Sequence, residues 1–409
     1  MAATLASATS LLAQAPQAPP PSPPAACVAE ARQFVLDQQR SLTVVTPETV
    51  RAIEEDKVAM ARACAGRFDV SAIAEAQLSD LMTLYSEAQQ PALAARARER
   101  ALASDTLPTQ LRGEVLTQSI VLGLREPESP DRNRRLEAWS DALDRLADGD
   151  NLLDLTIATH SRLNAYYRGD HSDQGIIKHS SWLISRARTF TPSQRSTYGT
   201  TIVAAHINMA EAFYGQGQAD RGAALLTEAR TKWTDIRGAE RMLAPVIARY
   251  ALLGTIAPAV SAGRWLNGPA AASLPMTGAV TLLEFTAHWC LPCKESYPGI
   301  RRLLDRYASR DFRVVMATEF YGYFGLERPL TPDIELARNR AYWAGEGLTV
   351  PIAVEERDTA VNAEAYQVGA LPQIHLIDRR GRIRLIMVGY DEANEPFVAA
   401  TIEKLLAER

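Results

Sequence analysis

From about residue 30 to residue 253, apolar positions recur at spacings of three and four among Ala, Leu, Arg, Glu and Gln. That period lines one face of a helix, and these residue types favour helix, so this stretch is expected to be helical almost throughout. From about residue 257 the pattern changes. Short β-branched and aromatic runs alternate with helical stretches, the mark of an α/β fold. Residues 279–285 (AVTLLEF) read as a buried strand, with a helix expected from Cys290 to about Tyr307. The expected organisation is multidomain: 1–29 a leader and proline-rich spacer without fixed structure, 30–255 an all-α domain, and 256–409 an α/β domain.

The first fifteen residues, MAATLASATSLLAQA, are small and apolar like the later part of a secretory signal. The basic start of such a signal is missing as written, the first positive charge being Arg32. Six of the nine residues 16–24 are proline, which makes a stiff extended spacer with few backbone donors. Export to the periplasm or another extracytoplasmic compartment is the expectation. Lipidation at Cys27 is not, because Pro24 stands where a bulky aliphatic residue is wanted.

Inside the helical half, Met209, Ala210 and Phe213, then Gly217, Gly222 and Ala229, resemble one tetratricopeptide repeat. A large and a small residue lie on one helix, glycine at the turn, and small residues where the second helix approaches. Leu81, Tyr85, Ala94, Ala101, Leu102 and Pro108 repeat the arrangement, and residues 163–176 do so weakly. A generic helical bundle would use the same residues. A repeat array would offer a concave surface to a protein or peptide partner. His160, His171, His179 and His206 are scattered without metal-ligand spacing and read as surface or packed residues.

Thr46-Pro47-Glu48 is a helix start, with a capping hydroxyl, then proline, then an acid. Helices over about 28–40 and 47–65, folded as a hairpin, bring Cys27 near Cys64. The two are a candidate structural disulfide in an oxidising compartment. The alternative is two unrelated thiols.

Composition narrows the function. The 409 residues carry 44 Lys and Arg against 48 Asp and Glu, a net charge of −4. Nucleic acid is therefore not expected as the main partner, since phosphate binding needs a basic field. No run approaches the ~18–20 apolar residues of a membrane helix, so no span is expected in the body of the chain.

Four cysteines are too few for a disulfide scaffold, but Cys290 and Cys293 form a C-x-x-C pair at a strand-to-helix junction. A helix N-terminus offers unpaired N–H groups and positive dipole charge, which draw a thiol pKa of ~8.5 towards or below neutrality. The first cysteine then attacks a disulfide, and the second resolves the mixed disulfide. Zinc would need further ligands, and Cys27 and Cys64 lie in the other domain. Haem attachment needs His after the second cysteine, where Lys294 stands. The peroxidatic Pro-x-x-x-Thr-x-x-Cys pattern is absent. No metal is assigned, and the redox-active Cys290–Cys293 pair replaces any cofactor.

Phe285-Thr286-Ala287-x-Trp289-Cys290-x-Pro292-Cys293 resembles the active site of the thioredoxin superfamily, in its extracytoplasmic TlpA/ResA-like branch. Supporting features are Ala257-Pro258 with Trp265-Leu266-Asn267-Gly268, the strand Arg313 to Ala317, Thr331-Pro332-Asp333 leading to the strand Val350 to Val354, and Tyr366 to Ile383. The resemblance covers about residues 257–409. It implies a cis Pro372 facing the cysteines and a Leu371 backbone free to pair with an extended client. It also implies that Glu284, six residues before Cys290, is a buried acid that shuttles the proton of Cys293. The alternative for Glu284 is an exposed strand edge. Many members of the branch carry an acid three residues after the second cysteine, and here that position is Ser296. Trp289, Leu291 and Pro292 are expected to shape the docking surface and the redox potential. His288 and Lys294 could add positive potential or be merely exposed, and His375 reads as a packing residue.

The function expected is protein disulfide reduction through Cys290 and Cys293, with protein disulfides as substrates and an unidentified thiol electron donor. An oxidase or isomerase, or a helical scaffold with a vestigial redox site, are the alternatives.

Overall fold

The structure, a computed structural model, describes residues 23–42, 46–127, 129–146, 152–169, 172–268, 273–357, 359, 361–390, 392 and 394–408. The leader expected at 1–15, most of the proline-rich spacer and His171 lie outside these residues. The chain divides into two compact units, Met1–Thr159 and His160–Arg409.

Unit 1 is helical: α1 Pro23–Ser41, α2 Pro47–Ala65, α3 Leu78–Glu87, α4 Pro91–Ala103, α5 Thr109–Gly123, α6 Pro130–Leu146 and the first part of α7, Leu153–Gly169. α1 begins at Pro23, so 23–29 are helical rather than part of an unstructured leader. Proline is at home in a first helical turn, where no intrahelical N–H is needed. At α2 the Thr46 hydroxyl accepts the N–H of Thr49 at 3.2 Å, and the Thr49 hydroxyl accepts the N–H of Thr46 at 3.0 Å. These contacts satisfy two otherwise orphaned donors. Leu78, Leu81, Met82 and Tyr85 of α3 pack with Ala94, Ala97 and Ala101 of α4. Alanine on one helix lets large residues of the other come close. Cys27 and Cys64, both buried, are joined in a disulfide across the α1–α2 hairpin, their Cα atoms 6.1 Å apart.

Unit 2 opens with helices α8 Asp173–Arg186, α9 Pro192–Gly215, α10 Ala219–Lys232 and α11 Ala239–Tyr250. Gly217 makes the α9–α10 turn at φ 72°, and Gly222 lies against the Tyr214 ring, where a Cβ would sit only 2.6 Å away. Sheet structure follows: β1 Val260–Ser261, β2 Arg264–Leu266, β3 Ser273–Leu274, β4 Val280–Phe285, α12 Leu291–Tyr307, β5 Phe312–Glu319, α13 Pro332–Gly345, β6 Ile352–Glu355, α14 Val361–Ala365, β7 Gln373–Ile377, β8 Ile383–Val388 and α15 Glu395–Ala407. The main sheet runs β2-β6-β5-β4-β7-β8, with β4, β5 and β6 parallel and β2, β7 and β8 joined antiparallel. All six residues of β4 are buried, as a central strand with neighbours on both edges requires. The change from helix to sheet falls after Tyr250, yet the compact units part at Thr159. The reason is packing within unit 2, where α9 lies on β8.

Candidate active site

The centre of β4 delivers the chain to the cysteines. After Phe285 the strand ends, and Cys290 becomes the N-cap of α12 at φ −81°, ψ 100°. Its Sγ accepts the N–H of Cys293 at 3.2 Å, and its carbonyl accepts the N–H of Lys294 at 3.2 Å. Pro292 occupies the first turn, where a missing donor is harmless. The two cysteines are disulfide-bonded, with Cα atoms 5.3 Å apart. On reduction, that N–H and the dipole of a 17-residue helix face the sulfur of Cys290 and favour its anion. Cys290 keeps 4% of its surface and Cys293 none, so the outer sulfur is the one a partner can reach. Trp289 (48% exposed) and Leu291 (66% exposed) form apolar shoulders beside it.

Glu284 lies deep in the sheet. It pairs with Met316 of β5 on one side and Ile374 of β7 on the other, which excludes the exposed-edge alternative. Burial pushes its carboxyl up to about 8, opposed by a hydrogen bond from Ser296. Ser296 Oγ stands 3.0 Å from Glu284 Oε1 and 2.6 Å from the Cys293 carbonyl, two acceptors sharing one proton. Glu284 Oε2 has no hydrogen-bond partner among the described residues. Ser296 thus joins the buried acid to the backbone of the turn that carries Cys293.

The register of β4 and β7 places the second half of the site. Phe285 faces Gln373, so Pro372 precedes β7 beside the point where the chain leaves β4 for Cys290. The Leu371–Pro372 peptide bond is cis. Leu371 packs on the same core cluster as both cysteines and makes no backbone–backbone hydrogen bond among the described residues.

The chain is 30% identical over 124 residues to the thioredoxin-like protein YneN of Bacillus subtilis, covering 30% of this chain and 65% of that one. It is 27% identical over 112 residues to the thiol-disulfide oxidoreductase ResA of Geobacillus thermodenitrificans, covering 27% and 56%. The first is named as thioredoxin-like and the second as a thiol-disulfide oxidoreductase, so the chain has thioredoxin-like and thiol-disulfide oxidoreductase relatives. The match spans less than two thirds of either relative. Among solved structures, a thioredoxin-family thiol:disulfide interchange protein from Chlorobium tepidum aligns at 21% identity and a TM-score of 0.29, covering 38% of this chain and 97% of that one. No family model matches the chain.

Around the thioredoxin-like pair, two flanking residues behave otherwise than their charge suggests. Lys294 is ion-paired with Glu346 just after α13, at 2.7 Å, so its charge is offset locally. His288 is packed by Phe324 at 4.6 Å, stacked, and by Tyr321 and Tyr323 edge-on. Burial holds its pKa below the ordinary value, so it is neutral near pH 7. The positive group that contacts the Cys290 sulfur is the backbone N–H at the start of α12.

The sequence reading missed a polar chain under the site. Trp343 Nε1–H donates to the Tyr297 hydroxyl at 3.2 Å, and that hydroxyl lies 2.9 Å from Thr286 Oγ1. Tyr297 is one turn beyond Cys293, which was the only local signal. His375 is buried and its pKa is pushed down to about 3 by desolvation, with Arg249 adding to the shift. It lies edge-on to Phe285 and Tyr366. His160 and His179 face each other with Nδ1 atoms 2.9 Å apart, and His206 Nδ1 lies 2.9 Å from the Ile202 carbonyl. These three are packed within the helices of unit 2.

Proposed function

We propose that this chain is a thiol-disulfide oxidoreductase that reduces protein disulfides. The observation that carries the reading is Cys290 Sγ at the N-cap of α12, accepting the Cys293 N–H beside a buried Glu284. In the reduced protein the Cys290 thiolate attacks a client disulfide, forming a mixed disulfide and releasing one client thiolate. Glu284, in the fraction of molecules where it is ionised, takes the proton of Cys293, and a pKa of about 8 leaves that fraction present near neutral pH. The Cys293 sulfur then attacks Cys290, closing the internal disulfide and releasing the second client thiolate. Two electrons pass from the dithiol to the client, and an external thiol donor restores the dithiol. No further cofactor enters the reaction. Pro372 and Leu371 form the clamp for an extended client, with Trp289, Leu291 and Pro292 as its docking rim. The named activity of the relatives supports this reading. Reduction is assigned as the direction, and an extracytoplasmic compartment as the site of action.

The test is a trap. Reduced Cys293→Ser protein mixed with insulin should form a covalent adduct through Cys290, seen by mass, and Cys290→Ser should form none. Absence of the adduct contradicts the proposal. A reduction potential near the ~−120 mV of a strong oxidant would contradict the reductase direction.

A further inference from the structure

Arg249, at the end of α11, is almost fully buried, at 4% exposure. A buried guanidinium must be paired and hydrogen-bonded. One partner is Glu211 of α9: Arg249 Nη1 lies 2.6 Å from Glu211 Oε1, while Glu211 Oε2 takes Arg168 at 3.1 Å. The other partner belongs to the segment before the clamp. Arg249 Nε–H donates to the carbonyl of Gln367 at 3.0 Å. The guanidinium also fills the space over Gly369, where a Cβ would stand 1.9 Å from Nη2.

The same segment is held from the opposite end by Gln373. Its Oε1 accepts the N–H of Gly369 at 3.3 Å, and its Nε2 donates to the Tyr366 carbonyl at 3.1 Å. Gln373 Nε2 also lies 2.9 Å from His375 Nε2, so the neutral imidazole accepts there. Residues 366–372 thus stand between a fixed amide on β7 and a charged strut from the helices. Gln367 is in the left-handed region at φ 51°, which turns its carbonyl out of the α14 end.

We propose that Arg249, anchored by Glu211, is a positioning residue for the Leu371–Pro372 clamp, so that the helices preceding the sheet set client affinity. This rests on the reading of the site given above. Arg249 touches neither sulfur nor client and acts through the Gln367 carbonyl and Gly369. A clamp that pairs with an extended client must hold its backbone groups in register before binding.

Two variants approach the contact from opposite sides. Arg249→Met removes the strut, and Gly369→Ala drives a methyl group into it. Each should raise the KM for insulin, with dithiothreitol as donor, by about tenfold while kcat stays within about threefold. The double variant should match either single one rather than multiply them, because both break one contact. Arg249→Lys, which can reach only one partner, should fall between. Amide exchange at 367–371 should quicken in Arg249→Met, a readout that needs no turnover. An unchanged KM with unchanged exchange overturns the proposal while leaving the redox site intact. Additive effects in the double variant overturn it as well. A wild-type protein that cannot reduce insulin removes the reading of the site itself, whatever the amide exchange shows.

Discussion

Glu284 is the buried acid of the central strand. It ionises at about 8 in the fold, against 4.5 as its ordinary value. The folded chain therefore keeps a proton that the unfolded chain has released. The associated stability is complete below pH 4.5 and is lost as pH rises through about 8. Glu284→Gln, neutral at every pH, should unfold in urea much like the parent at pH 5. At pH 9 it should be the more stable protein, by up to about 5 kcal/mol for a shift of this size. A difference that does not change with pH would contradict the burial of this carboxylate. That an acid stands inside the strand was legible, because six of the seven residues 279–285 are not ionisable and read as core. That Ser296 reaches it was not, since a hydroxyl carries no signal of its partner. The offset of Lys294 by Glu346 was equally hidden, because the two are brought together only by the placement of α13 on α12.

At the scale of elements, the clearest signals were those with a local cause. The Thr46 cap, the strand feeding Cys290 and the glycine turn of α9 and α10 are each fixed by residues within a few positions. Boundaries were less legible: α11 stops at Tyr250, three residues short of the last periodic position, and β5 extends to Glu319 beyond the apolar run. Paired edges, which sequence does not display, decide where a strand ends. The α1–α2 hairpin offers a separate test. Its disulfide closes a separation of 37 residues, which should stabilise unit 1 by about 4 kcal/mol through the unfolded chain. Cys27→Ser with Cys64→Ser should lower the unfolding midpoint of unit 1 and leave insulin reduction intact. An unchanged midpoint would show the crosslink to be energetically idle.

For the whole molecule, the residue pattern places helices first and sheet second, and its seam marks that change of secondary structure. Packing divides the chain elsewhere, since α8 to α11 share a compact unit with the sheet. Buried charge explains why this was not legible: Arg249 looks like any helical arginine until Gln367, 118 residues later, is found beside it. The net charge of −4 is too mild to supply a strong long-range field. Electron transfer from Cys290 to a protein disulfide decides the proposed function. Its most direct measurement is the rate of insulin reduction by the full chain with dithiothreitol, set beside Cys290→Ser. Turnover is expected from the parent, and only the background rate of dithiothreitol with the variant. Equal rates for both proteins would contradict it.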